Sequence, residues 1–308
     1  MAESSFFLLA ATFLPLLLSP VVYILGRKKT GVNTVTWFSF GVLAISTGLL
    51  FIPALMLNGG GQSAYAESYP WSQFGNFGLR LDGLSLPFAL IIYILCTVLA
   101  LYSKPYMIHK IMEDAHERFG SSSDSPPRGG GQGYTDDPRS SSTTTNIDTG
   151  VSQITSIVDT TQYVNNQLGL YFALYMTFSM GMLGTVLATN LIEFFVFFEL
   201  MLVPSFFLIA FYGYGARLRI ALMFFFWTHV GAVVLLLGLL AMGFFAGGFD
   251  YTTVKANATK IPTQWLSIIV FALVVGLGVK LAAFLLHIWL PYAHACLLYT
   301  SPSPRDTR

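Results

Sequence analysis

The sequence predicts an all-α protein, a polytopic membrane helix bundle with seven transmembrane helices. Three observations carry that reading. The 308 residues are 54% hydrophobic and only 10% charged, against about 25% charged in a soluble domain. The apolar residues gather into seven stretches, each reaching the roughly 20 residues that a 30 Å hydrocarbon layer demands. Lysine and arginine favour alternate loops, as the positive-inside rule requires of a multi-pass chain. The lipid bilayer is therefore the first expected partner. The net charge of +1 says nothing about nucleic acid, and no basic run is long enough to suggest it, so no nucleic-acid partner is expected. The two cysteines, Cys96 and Cys296, provide neither a disulfide framework nor metal-ligand spacing, so no metal site or cofactor is expected in this chain.

The spans follow in order. Phe6–Leu25 is the first, trailed by Arg27, Lys28 and Lys29. Val35–Leu57 is the second. A polar segment with Gly59-Gly60-Gly61, Trp71 and Arg80 leads to Leu84–Tyr102, the third, and Asp82 at its entrance reads as a helix cap. Residues 111–167 break the pattern. They are rich in Ser, Thr, Gly, Pro and Asp, which bury too little surface to offset ordering entropy, so a disordered insert is expected. The fourth span is Leu168–Ala188 and the fifth Thr189–Gly215. The sixth, Arg219–Phe245, carries His229; the seventh, Trp265–Leu290, carries Lys280 and, near its end, His287. The positive loops after spans one, three and five place the N-terminus outside and the insert in the cytoplasm.

The ionisable groups inside spans carry the functional reading. An acid at membrane depth costs a few kcal/mol, so Glu199 in the fifth span is a functional candidate. Pro204, five residues on, has no N–H for the carbonyl of Leu200, which loosens the helix just past the acid. Glu199 and Lys280 lie at depths differing by about 8 Å at 1.5 Å per residue. At about 5 Å and an effective dielectric near 20 their attraction is roughly 3 kcal/mol, a usable proton switch. His229 either relays protons between them or merely satisfies a backbone carbonyl. His287 is either a proton entry point or an interfacial residue. Glu193, near the edge of the fifth span, reads as a solvated or interfacial acid. Gly276 and Gly278, beside Lys280, permit close helix approach or local unwinding.

Several of these stretches resemble a known family. Asn190-Leu191, then Phe197-Phe198-Glu199-Leu200-Met201-Leu202-Val203-Pro204 with Tyr212-Gly213 beyond, is similar to the fifth helix of the proton-translocating antiporter-like subunits of respiratory complex I. Val279-Lys280 and His287-Ile288-Trp289-Leu290-Pro291-Tyr292-Ala293-His294-Ala295 resemble the seventh-helix motif, and Asp82-Gly83-Leu84-Ser85 the third-helix entrance. Within the family, Pro204 points to the subunit M, or chain 4, branch rather than to the related Mrp antiporters. The resemblance implies a fold of about fourteen helices in two inverted repeats, of which this chain holds the first half. It implies a redox-driven proton pump in the cell's inner, or cytoplasmic, membrane, with Glu199 and Lys280 carrying translocation and His229 and His287 as possible relays. Other membrane subunits of a complex I-like assembly are the implied partners, and the quinone and electron donor bind to them. The alternative is a subunit of a Mrp-type cation/proton antiporter.

There are departures. Ala282 and Leu285 stand where the family has prolines, which leaves a break in helix seven open, and His229 is unexpected at its position. Residues 296–308, CLLYTSPSPRDTR without its neighbours in any span, resemble translated adaptor sequence and are expected to be non-native. The expected units are therefore 1–110 (helices 1–3), 111–167 (insert), 168–295 (helices 4–7 with the proton-path residues) and 296–308 (tail).

Overall fold

A computed structural model describes residues 6–28, 31–59, 63–72, 75–120 and 145–291. The expected tail, His294 and Cys296 lie outside the described residues. Among these residues seven helices are long and apolar enough to cross a membrane. They are α1 (Phe7–Arg27), α2 (Val32–Gly59), α3 (Ser85–Gly120), α4 (Thr145–Leu187), the pair α5 (Leu191–Leu200) and α6 (Leu202–Tyr212) that together form one span, α7 (Arg217–Ala246), and α9 (Thr263–Lys280). Between the last two lie the short α8 (Tyr251–Ala256) and a single 3₁₀ turn, Ala258–Lys260.

The helices pack in sequence neighbourhoods. α4 is the hub: it lies against α1, α2, α3, α5 and α6. Its inward stripe is Val164, Leu168, Phe172, Met176, Met180, Leu183 and Leu187, the i, i+4, i+7 spacing that turns one helical face into core. That stripe begins upstream of Leu168, and it corrects the expected insert. Residues 111–120 and 145–167 are helical, the first as the continuation of α3 and the second as the opening of α4. Averaged polarity conceals the stripe there, although Ile111, Ala115 and Val164 are all buried. Residues 121–144 lie outside the described residues.

One element went unread. Ala64–Ser72 and Gly75–Asp82 form an antiparallel hairpin, β1 and β2, with Ala64 opposite Asp82 and a bulge between Pro70 and Ser72. Its signal was the alternation Phe77, Leu79, Leu81 around polar Gly78 and Arg80, with Leu79 and Leu81 fully buried. The hairpin lies across one end of the bundle and is pinned there by Glu67. That carboxylate accepts from the backbone N–H groups of Leu8 (2.8 Å) and Leu9 (2.9 Å) and from the hydroxyls of Tyr65 and Tyr69 (both 3.1 Å). It thereby caps the first turn of α1, whose N–H groups have no partner within the helix. Burial, then the charge of Glu67, pushes the Tyr69 hydroxyl well above its ordinary value.

Asp82 caps α3 as expected. Its carboxylate accepts from Leu84 N (3.1 Å) and Ser85 N (2.9 Å), while its own N–H donates to Ser85 Oγ at 2.9 Å. These backbone donors hold its carboxyl below the usual carboxylate range.

Candidate functional site

The site grows from a lapse in the fifth span. The run from Leu191 to Tyr212 is interrupted at Met201, one residue past Leu200, whose carbonyl Pro204 cannot serve. Glu199 sits on the last turn before this lapse, so the expected loosening is present where the acid lies. At the same place the carbonyl of Phe198 accepts from Lys280 Nζ at 3.0 Å, and the ammonium rests 4.2 Å from the centre of the Phe198 ring. Lys280 thus reaches the residue next to Glu199.

The acid and the lysine do not form an ion pair among the described residues. Glu199 Oε2 instead lies 3.1 Å from Nδ1 of His229 on α7, and Oε1 is buried without a hydrogen-bond partner. The His229 ring stacks on Phe225, with centroids 5.6 Å apart and 5° between planes, which fixes its orientation. The histidine side chain is 50% exposed and the carboxylate 23% in the isolated chain. Glu199, His229 and Lys280 therefore form a group drawn from three spans. His287 does not join it. That ring stacks on Phe284 at 6.0 Å, and its Nδ1 is buried with no partner among the described residues.

α7 and α9 approach closely because small residues face each other. A Cβ on Gly276 would sit 2.6 Å from Leu235 Cβ and 2.8 Å from the Gly231 carbonyl oxygen, the close backbone approach that glycine permits between membrane helices. The seventh span is shorter than expected. Helix ends at Lys280, and residues 281–287 turn back rather than continue to Leu290. Ala282 lies in the left-handed region at φ 55°, its N–H donating to the Val279 carbonyl (3.2 Å), and Ala283 N donates to Gly278 O (2.8 Å). That pair of bonds is a Schellman stop with alanine where glycine is usual. Leu285 repeats the left-handed geometry at φ 74°. The indole N–H groups of Trp289 and Trp227 hold the segment by donating to the carbonyls of Val279 (2.9 Å) and Leu286 (3.0 Å).

The break left open by the missing prolines is therefore present, and it is built in another way. This yields a prediction. Proline holds φ near −65° and has no N–H, so Ala282→Pro cannot occupy this turn and is expected to cost about 3 kcal/mol. A lowered melting temperature of the detergent-solubilised chain checks it, and an unchanged one counts against the turn.

Glu193 corrects the sequence reading. It is not solvated: it is 1% exposed, and its Oε2 accepts from Gly78 N (3.2 Å) and Thr189 N (3.4 Å). The Gly78 carbonyl in turn accepts from Thr189 N and Oγ1, and Leu191 N donates to Phe249 O. Glu193 thus ties the hairpin to the start of α5. The sequence held no signal for this tie, because the hairpin partner of Glu193 is backbone 115 positions away.

Residues 188–300 match the profile of a family described as NADH:quinone oxidoreductase/Mrp antiporter, transmembrane. Over these residues the chain is similar to such antiporter-like membrane subunits. NADH-quinone oxidoreductase subunit M of Pseudomonas aeruginosa is 33% identical over 159 residues, 48% of this chain and 31% of the relative. NAD(P)H-quinone oxidoreductase chain 4 1 of a Picosynechococcus species is 25% identical over 294 residues, 94% of this chain and 43% of the relative. Among solved structures, a chain of the Mrp complex from Dietzia sp. superposes with a TM-score of 0.63 at 20% identity, covering 94% of this chain and 25% of that one. A chain of respiratory complex I from Thermus thermophilus gives 0.60 at 20% identity, covering 93% and 46%. At such identities the likeness is one of fold. The chain spans less than half the length of each of these relatives and structures.

Proposed function

We propose that this chain is a membrane subunit of a redox-driven proton pump of the complex I type, and that Glu199, His229 and Lys280 move the protons. The 3.1 Å approach of Glu199 to His229 carries the reading. Whichever of the two holds the proton donates it to the other, so transfer between them needs no large rearrangement. Lys280 supplies the bias. Its ammonium, held by the carbonyl beside Glu199, favours an ionised carboxylate as it moves closer and a protonated one as it withdraws. Closing from about 10 Å to 5 Å at an effective dielectric near 20 gains roughly 1.7 kcal/mol. Moving one charge against 100 mV needs about 2.3 kcal/mol, so several such steps act in series. His287 lies past the helix break and serves as an entry or exit group.

In this reading the chain performs no redox chemistry. Partner membrane subunits bind the electron donor and the quinone, the membrane is the inner or cytoplasmic one, and the N-terminus and the hairpin face outside. Relatives named as subunit M and chain 4 of quinone oxidoreductases support it, as does Pro204 after the acid. The second reading, a subunit of a Mrp-type cation/proton antiporter, is supported by the family's description and by the fold likeness to the Mrp complex.

Proteoliposomes containing the assembled complex separate the two. The first reading expects acidification that needs an electron donor and quinone and ignores sodium. Sodium-for-proton exchange with no donor would overturn it in favour of the second.

A further inference from the structure

We propose that the ion pair between Asp114 and Arg217 is a gate on a water-filled inlet, at the end of the bundle away from the hairpin. It would admit water and hydronium to a polar chamber between α4 and α6. The observations lie outside the Glu199 group and do not depend on its role.

Two cavities meet at this pair. The outer one, about 220 Å³, is lined by Lys110, Glu113, Tyr214 and the loop glycines Gly213 and Gly215. The inner one, about 70 Å³, is lined by Tyr163, Gln167 and Tyr212, large enough for a few water-sized molecules and polar enough to hold them. Asp114 and Arg217 line both. Arg217 Nη1 lies 3.0 Å from Asp114 Oδ2 and also donates to the Phe211 carbonyl at 2.9 Å, so the guanidinium occupies the boundary between the chambers. In the inner chamber the Tyr212 hydroxyl donates to the Gln167 carbonyl at 2.7 Å.

The pair is arranged to open at low cost. Removing one partner of a buried ion pair is normally expensive because it strands the other charge. Here Asp114 has a second cation: Lys110 Nζ, 3.4 Å from Oδ1 and only 5% exposed as a residue. Lys110 is itself fixed over the Tyr214 ring, 3.4 Å from its centre. When Arg217 swings away, the carboxylate stays compensated. Arg217 opens α7 two residues after Gly215, which lies at φ 64° with nothing within 4 Å of where a Cβ would be. That is a conformation glycine adopts freely and other residues rarely do, so the turn leading to the arginine forms without strain, closed by the Arg217 N–H donating to the Gly215 carbonyl at 2.8 Å.

Cysteine accessibility tests the gate in the full chain held in nanodiscs, where both faces meet solvent. With Cys96 and Cys296 replaced by Ser, Gln167→Cys reports from the inner chamber, and a charged, water-soluble thiosulfonate is the probe. The gate predicts slow labelling in the parent. R217Q is expected to accelerate it about tenfold or more, the scale set by losing one charge-assisted hydrogen bond, and R217K, which keeps the charge but not the planar head, to accelerate it less than R217Q. Leu168→Cys, one residue on and fully buried in the apolar core, is expected to stay unreactive in every background. Fast labelling of the parent, no acceleration in R217Q, or equal acceleration at position 168 overturns the proposal; the last would mean general loosening of the bundle.

Discussion

Glu199→Gln in the assembled complex is expected to lower coupled proton movement by about a hundredfold or more, the scale that a positioned acid–base group contributes. The amide is nearly isosteric and still meets His229 Nδ1, 3.1 Å from Oε2 in the parent, so helix packing should persist. What is lost is the ability to take and release a proton. Lys280 keeps its bond to the Phe198 carbonyl, and electron transfer in partner subunits continues in part, uncoupled. Measuring acidification and electron transfer in the same proteoliposomes separates the two. Unaltered pumping would remove Glu199 from the path.

Gly276→Ala is the second large effect, and it acts through packing. The added methyl carbon would lie 2.6 Å from Leu235 Cβ and 2.8 Å from both Leu235 Cα and the Gly231 carbonyl oxygen. Two of these are backbone atoms of α7 and cannot swing aside, so α7 and α9 must separate. Overpacking of this kind costs about 1–3 kcal/mol. Lys280 lies one turn beyond Gly276 on the same helix, so the separation also draws its ammonium away from Phe198. A lower melting temperature together with reduced pumping is expected. Gly41→Ala is the matched control: nothing lies within 4 Å of its added carbon, and alanine in a helix interior gains roughly 1 kcal/mol over glycine. Equal behaviour of the two variants would contradict the close approach of α7 and α9.

Much of this was legible because charge stands out against apolar text. Glu199, Lys280 and His229 are isolated in spans, and length alone located those spans. Pro204 marked the lapse just past Glu199, and Asp82 announced the cap on α3. What remained hidden depends on partners distant in the chain. Glu193 and Glu67 look like ordinary surface acids until the hairpin supplies or positions their donors. The hairpin itself was signalled only by three alternating apolar residues in a polar stretch. The helical ends of the insert were masked by averaging, since a stripe at every fourth residue vanishes in a composition count. The break after Lys280 had no marker beyond Gly276 and Gly278, because alanine and leucine rarely adopt the left-handed turn found here. Matched depth led to the expectation of a Glu199–Lys280 pair; direct contact instead falls to His229, whose position on α7 periodicity could not resolve.

One thermodynamic cycle reaches the central claim most directly. Proton movement is measured for the parent, E199Q, H229Q and the double variant, with assembly verified for each. If a proton passes between these two side chains, the double variant is no slower than E199Q alone, a coupling of about 1 kcal/mol or more. Losses that simply multiply would mean the two act independently and would contradict the account.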